Sequence, residues 1–95
     1  MIVEFSIVPI GAGTSLSAYV AECLRIVKDS ELKYQLTPMG TVLEGEAGEV
    51  IPVVMSCHER VLQMCDRVVT SIKIDDRRDR KGEMERKVRS VEEML

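Results

Sequence analysis

The chain has few of the residues that catalysis and metal binding require. It contains one histidine, His58, no tryptophan, and three cysteines without a Cys-x-x-Cys pair. Aromatic residues make up 3% of its 95 residues, namely Phe5, Tyr19 and Tyr34. One histidine and scattered cysteines cannot form a zinc site of the usual kind within one chain. We therefore expect no metal and no cofactor, and a core built from aliphatic side chains.

Excess positive charge and long apolar runs are also missing. The formal net charge is -3, whereas nucleic-acid binding needs clustered positive charge to displace counterions. An RRM-type sheet needs aromatic residues on two central strands, and here Phe5 is the sole candidate. No apolar run approaches the roughly 20 residues of a membrane span. The N-terminal segment lacks a basic flank and contains Glu4, unlike a signal peptide. We expect a cytoplasmic protein that binds neither nucleic acid nor membranes.

The cysteines and the histidine do not form a recognisable catalytic pattern. Cys23, Cys57 and Cys65 each lie in a helical pattern, which is typical of buried, reduced thiols. His58 follows Cys57, but neighbouring residues of a helix point about 100° apart, which disfavours a Cys–His dyad. We predict that the protein is not an enzyme. An enzyme that uses His58 and Cys57 is a third, weaker hypothesis.

Hydrophobic periodicity predicts the element order β-α-β-β-α-β-α. Alternation predicts strands at 2–10 and 67–75, and two short strands between Leu32 and Glu44 that bend at Pro38–Met39–Gly40. Apolar residues at spacings of three and four predict three helices. The first is capped by Thr14 or Ser15 and ends near Asp29. The second begins at 47–50 and ends at about Cys65, and the third covers 83–94. Pro38 predicts a kink or bulge in the hairpin. Pro52 is expected in the first turn of the second helix.

This order predicts an α+β fold. The first six elements match the ferredoxin-like βαββαβ sandwich, with an additional C-terminal helix, in a single domain over 1–95. Right-handed crossovers place the two long helices on one face of a four-stranded antiparallel sheet. The other face then needs the third helix or a second copy of the chain as cover.

The uncovered sheet face is the best place for function. Strand alternation puts five side chains there, namely Glu4, Ser6, Val8, Ser71 and Lys73. Polar groups among apolar ones are typical of a ligand-binding surface. The alternative is an oligomer interface without a ligand, and the two are compatible.

Two further segments each allow two interpretations. Gly11-Ala12-Gly13-Thr14 joins a strand to a helix, so it is either a tight turn with a cap or an anion site. The run DDRRDRK from Asp75 to Lys81 alternates in sign, so it is either a solvated connection or an ion-pair network between subunits.

Several segments together resemble one family. They are SIVPIGAGTSLSAYV, TPMGTVLEGE, CHERV, RVVTSIKIDDRRD and KVRSVEEML. In their order and spacing, over nearly the whole chain, the sequence is similar to the thiamine-binding protein family of small ferredoxin-like proteins. The resemblance implies assembly through the sheets as a homotetramer, a dimer of dimers. It also implies thiamine, or its hydroxymethylpyrimidine moiety, as the ligand.

An aminopyrimidine offers a ring nitrogen and an exocyclic amine, which a carboxylate and a hydroxyl can read together. A methionine adds a soft contact to a ring. The candidate ligand-binding residues are Ser6, Thr37, Met39, Thr41 and Glu44. We predict a non-catalytic small-molecule binding protein that acts as a homo-oligomer. The alternative is a structural or regulatory homo-oligomer without a small-molecule ligand.

Overall fold

The computed structural model describes residues 1–11, 16–78 and 83–95. The elements are β1 (Ile2–Pro9), α1 (Ser17–Asp29), β2 (Lys33–Thr37), β3 (Gly40–Glu44), α2 (Ala47–Leu62), β4 (Val68–Asp75) and α3 (Glu83–Met94). Their order confirms the predicted α+β fold and its C-terminal helix. The predicted cap at Thr14 or Ser15 and the phosphate-loop candidate from Ala12 to Thr14 lie outside the described residues, as does part of the charged run, 79–81.

The four strands form one antiparallel sheet in the order β2-β3-β1-β4. Val3 lies opposite Leu43 on β3 and Ile74 on β4. Directly opposed residues of antiparallel strands project from the same face. Val3, Phe5 and Leu43 therefore share the face that α1 and α2 cover.

The core lies between this face and the two long helices. Its buried side chains are Val3, Phe5, Val27, Leu43, Val50, Val54 and Cys57. One of them is aromatic, as the composition predicts. Aliphatic burial of this kind is the main stabilising term available to so short a chain.

The hairpin between β2 and β3 is tighter than predicted. Thr37 pairs directly with Gly40, and the register stays regular as far as Lys33 and Glu44. The predicted bulge is therefore wrong. Pro38 occupies the two-residue turn with Met39, outside the strand ladder, so its missing N–H removes no ladder hydrogen bond.

Helix α2 also differs from the prediction. The Glu49 carboxylate accepts a hydrogen bond of 3.1 Å from the Glu46 N–H at the helix start. Because the helix begins at Ala47, Pro52 is its sixth residue and not part of the first turn, so that expectation is wrong. Proline has no N–H to donate to a carbonyl four residues earlier. Burial of one apolar stripe, including Val54, maintains the helix beyond this point.

Helix α3 lies against one end of the other sheet face, opposite the face that α1 and α2 cover. The Met84 N–H donates a hydrogen bond of 2.9 Å to the Glu44 carboxylate, and Lys87 forms an ion pair with Asp75. Glu44 and Asp75 both lie opposite Ile2, so they belong to one row of the sheet. The third helix therefore covers part of this face. Among the described residues, no helix is long and apolar enough to cross a membrane.

Candidate ligand-binding recess beside the hairpin

A recess of about 240 Å³ opens on the helix side of the sheet, between α1 and the β2–β3 hairpin. Strand residues in its lining include Phe5, Ile7, Leu36 and Thr41, and helix residues include Tyr19, Val20, Cys23 and Leu24. None of the described residues that line it is charged. The recess therefore suits a small, largely apolar, uncharged group.

The hairpin tip is held in place by the Thr37 side chain. Its hydroxyl donates to the Gly40 carbonyl at 2.8 Å and accepts from the N–H groups of Met39 and Gly40 at 3.2 and 3.1 Å. Threonine hydroxyls commonly bridge a turn in this way. Thr37 thus fixes the edge of the recess, and its hydroxyl is already engaged by the backbone.

A glycine is needed where β3 begins. A Cβ atom at Gly40 would lie 2.6 Å from the Phe5 carbonyl oxygen of β1. The absence of a side chain lets β3 approach β1 next to the turn. This close approach brings Thr41 opposite Phe5 at the recess.

Three of the predicted site residues meet at this recess. Thr37, Met39 and Thr41 all line it. Ser6 also borders it, although strand alternation directs the Ser6 side chain toward the other sheet face, opposite Ser71. The threonine–methionine cluster predicted from the hairpin sequence is therefore present in space.

Glu44 does not join this cluster. It lies three residues after Thr41 on β3, so the two side chains project from opposite faces, roughly 10 Å apart along the strand. Its carboxylate accepts the Met84 N–H, where it caps the start of α3. The sequence places these groups close together along the chain, but the strand alternation separates them.

A second, shallow recess of about 230 Å³ lies on the other sheet face. Its lining is Glu4, Phe5, Ser6, Met39, Ser71, Ile72 and Lys73. Four of these residues are among the five predicted for a ligand-binding surface on this face. The fifth, Val8, borders the first recess instead. Phe5, Ser6 and Met39 border both recesses, so β1 and the hairpin tip separate the two.

The sequence did not indicate that α1 contributes to the recess. Its apolar stripe predicted core residues, but Val27 is the only buried residue described in α1. Tyr19, Val20 and Cys23 face the recess instead. The apolar stripe of α1 is wider than the adjoining strands can cover, and this width was the one signal in the sequence. It becomes apparent only once the position of α1 on the sheet is known.

His58 and Cys57 do not form a dyad. His58 Nδ1 lies 2.6 Å from Thr70 Oγ1 on β4, while Cys57 Sγ donates to the Cys23 carbonyl at 3.6 Å. The two side chains therefore have separate partners, and His58 is not among the residues lining the recess.

The contact between Glu44 and α3 leads to a first prediction. Glu44→Ala removes the carboxylate that accepts the Met84 N–H, so the first turn of α3 loses a cap. Hydrogen exchange of the α3 amides should become faster, by about fivefold for a loss of about 1 kcal/mol. Glu46→Ala, on another element, is the control and should leave exchange in α3 unchanged. Unaltered α3 exchange in Glu44→Ala would contradict the capping role.

These features define a class of protein: a ferredoxin-like α+β sandwich with a small recess beside its β2–β3 hairpin. The chain matches the family model described as thiamine-binding protein over residues 3–92. It therefore belongs to the thiamine-binding protein family.

Relatives at the sequence level are small proteins of similar length. The chain is 40% identical to the UPF0045 protein MJ1052 of Methanocaldococcus jannaschii, over 99% of this chain and 94% of that one. It is 44% identical to the UPF0045 protein YqgV of Bacillus subtilis, over 99% and 96%. The similarity extends over nearly the whole of each protein.

Solved structures share the fold. The crystal structure of the Methanocaldococcus jannaschii protein matches with a TM-score of 0.90 and 41% identity, covering 97% of this chain and 95% of that one. A Thermotoga maritima protein, provisionally named for thiamine biosynthesis or salvage, matches with a TM-score of 0.83 and 23% identity, covering 95% and 96%. At that identity the second match supports the fold alone.

Proposed function

We propose that the protein is a non-catalytic binding protein for thiamine or its hydroxymethylpyrimidine moiety, and that it acts as a cytoplasmic homo-oligomer. The observation that carries this proposal is a recess of about 240 Å³ with an uncharged lining, in a member of the thiamine-binding protein family. A mostly apolar pocket with a few polar groups is the usual form of a small-molecule site.

The lining favours the pyrimidine end of the ligand. Thiamine carries a cationic thiazolium ring, and transfer of a cation into an apolar site without a counter-charge is costly. The described lining offers no carboxylate. The neutral hydroxymethylpyrimidine ring avoids this cost. We therefore expect the pyrimidine ring inside the recess and the thiazolium ring, where present, toward solvent.

Three side chains have the chemistry to hold an aminopyrimidine. Thr41 carries a hydroxyl that can donate or accept, and no described residue bonds it. Met39 is 83% exposed at the hairpin tip, so its thioether can move onto a ring. Tyr19 offers an aromatic face on the α1 side. Thr37 supports the site by holding the turn.

In this proposal, assembly uses exposed apolar residues at one end of β1 and β4, and one of them, Val8, also borders the first recess. Val8 and Val69 are opposed on β1 and β4, and each is 44% exposed on the sheet face that α3 covers at its other end. Exposed apolar groups on a sheet are typical of association sites. We propose a homotetramer, a dimer of dimers, that buries these residues.

Calorimetry with hydroxymethylpyrimidine, thiamine and thiamine phosphates tests the binding proposal. We expect saturable binding of hydroxymethylpyrimidine and an increased thermal midpoint, because a ligand that binds the native state stabilises it. Thr41→Val, which replaces the hydroxyl with a methyl group, should weaken binding about fivefold to tenfold through the loss of one neutral hydrogen bond. Thr70→Val on β4 is the control outside the recess: it removes a hydroxyl that lies 2.6 Å from His58 Nδ1, and it should bind normally.

The alternative function predicts another result. A structural or regulatory homo-oligomer would show no heat and no thermal stabilisation at millimolar ligand, together with a stable tetramer in native mass spectrometry. Exposed Val8 and Val69 support this candidate. If Ser6→Ala in the second recess abolishes binding while Thr41→Val does not, the ligand lies on the other sheet face.

A further inference from the structure

Two cysteines meet where α1 packs against α2. Cys57 Sγ donates a hydrogen bond of 3.6 Å to the carbonyl of Cys23, although 34 positions separate them in sequence. Cys57 is fully buried in the core, whereas Cys23 is partly exposed and lines the recess. One thiol of the pair is therefore accessible from the recess, and the other is behind it.

The environment gives the two thiols different acidities. The adjacent Cys57 side chain favours the Cys23 thiolate and so lowers the pKa of Cys23, despite the opposing effects of burial and of the Glu22 carboxylate. Contact with the Cys23 side chain, together with burial, raises the pKa of Cys57. Since the thiolate is the reactive form, Cys23 is the nucleophile of the pair and Cys57 stays protonated.

We propose that Cys23 and Cys57 form a redox-active dithiol, and that the recess admits a small peroxide oxidant to Cys23. This assignment rests on the cysteine geometry and on access through the recess. It does not depend on thiamine binding.

The proposed oxidation balances in two steps. The Cys23 thiolate attacks one peroxide oxygen: an S–O bond forms, the O–O bond breaks, and the departing hydroxide takes up a proton as water. Once Cys23 is a neutral sulfenic acid, Cys57 gives up its proton and attacks the sulfenic sulfur: an S–S bond forms, the S–O bond breaks, and the departing hydroxide takes up the Cys57 proton as a second water. The two thiols lose two electrons in total, and hydrogen peroxide is reduced to two molecules of water.

The disulfide would connect α1 to α2 at the wall of the recess. Cys65 takes no part, because it lies beyond the end of α2, where its sulfur is 3.4 Å from the carbonyl oxygens of both Val61 and Arg67. The chain therefore supplies an internal control cysteine. Oxidation would fix the position of α1 relative to α2, and with it the width of the recess.

Intact-mass spectrometry of the reduced full chain, treated with hydrogen peroxide, tests this proposal. We expect a monomer lighter by two hydrogen atoms, and peptide mapping should link Cys23 to Cys57. Cys65→Ser should give the same loss. Cys57→Ala should instead accumulate the sulfenic acid at Cys23, detectable with a dimedone-type trap, and Cys23→Ser should give neither product.

Alkylation of the reduced protein with iodoacetamide is a second measurement that does not depend on a variant's stability. Cys23 should react at least about tenfold faster than the buried Cys57. An intramolecular disulfide that persists in Cys57→Ala, or one that maps to Cys65, would overturn the assignment. So would peroxide treatment that leaves both thiols reduced, or equal alkylation rates at the two sites.

Discussion

Gly40→Ala should destabilise the protein by about 3 kcal/mol, at the upper end of the range for overpacking. The new Cβ would lie 2.6 Å from the Phe5 carbonyl oxygen, and both residues belong to the two central strands. The contacted atom is backbone, so it cannot rotate away as a flexible side chain would. Urea unfolding monitored by circular dichroism measures the change in the free energy of unfolding.

Gly48→Ala is the matched control for Gly40→Ala. Gly48 lies in the first turn of α2, and a Cβ atom there has no atom within 4 Å. Alanine is a better helix former than glycine, so this variant should be unchanged or more stable by up to about 1 kcal/mol. If both variants show the same stability, β3 does not approach β1 as closely as the structure shows.

The Gly40 prediction extends to ligand binding. Any displacement of β3 away from β1 also moves Thr41, which lies opposite Phe5 at the recess. We therefore expect Gly40→Ala to weaken hydroxymethylpyrimidine binding under conditions where the variant remains folded. Gly48→Ala should bind like the parent protein.

Leu43→Ala should destabilise the protein by about 3–5 kcal/mol. Leu43 is fully buried at the centre of the sheet, opposite Val3 on β1 and Tyr34 on β2. Removing its side chain leaves a cavity that a rigid sheet cannot close, and the lost transfer energy adds to the cost. For a chain of this length, such a loss is a large fraction of the total stability.

Leu36→Ala is the control for Leu43→Ala, because it tests whether the loss of stability comes from burial of the side chain or from replacing any leucine. Leu36 is on neighbouring β2, but it is 51% exposed and lines the recess. Its replacement should cost less than about 1 kcal/mol of stability, because half of its surface stays in water. It should nevertheless weaken ligand binding through lost apolar contact. Equal destabilisation by the two leucine variants would contradict the assigned core.

The sequence predictions agree best with the structure for features that depend on one helix or strand alone. Alternation of Val3, Glu4 and Phe5 determines which side of β1 is apolar, and the period of α2 places Val50 and Val54 on one stripe. These periods are properties of a single element. They were sufficient for the element order, and the element order was sufficient for the sheet topology, because few arrangements satisfy the crossover rule.

The wrong predictions concern prolines, whose intrinsic backbone preference differs from the conformation that the surrounding fold imposes. Pro38 predicts a bulge by its own chemistry, but a two-residue turn takes it out of the ladder. Pro52 is unfavourable beyond the first turn, yet α2 continues because its buried stripe outweighs the local cost. Sequence reasoning identified both conflicts but did not predict how the fold resolves them.

The candidate site was predicted in part for the same reason. Thr37, Met39 and Thr41 are local to one hairpin, so their proximity follows from the turn. Glu44 is equally close in sequence, but its partner Met84 is 40 positions away. Ser6 stands between two recesses, and its role depends on which of them holds the ligand. The five candidate residues remain a prediction until binding is measured.

By itself, the sequence determined the elements, the aliphatic character of the core, the fold class and the family. Each of these depends on periodicity, composition or the order of segments along the chain. The tertiary structure alone decided that Cys23 meets Cys57, that Glu44 caps α3, and that the recess has no charged residue in its described lining. These facts concern residues that are distant in sequence, and their separation in space is set by how the helices pack on the sheet.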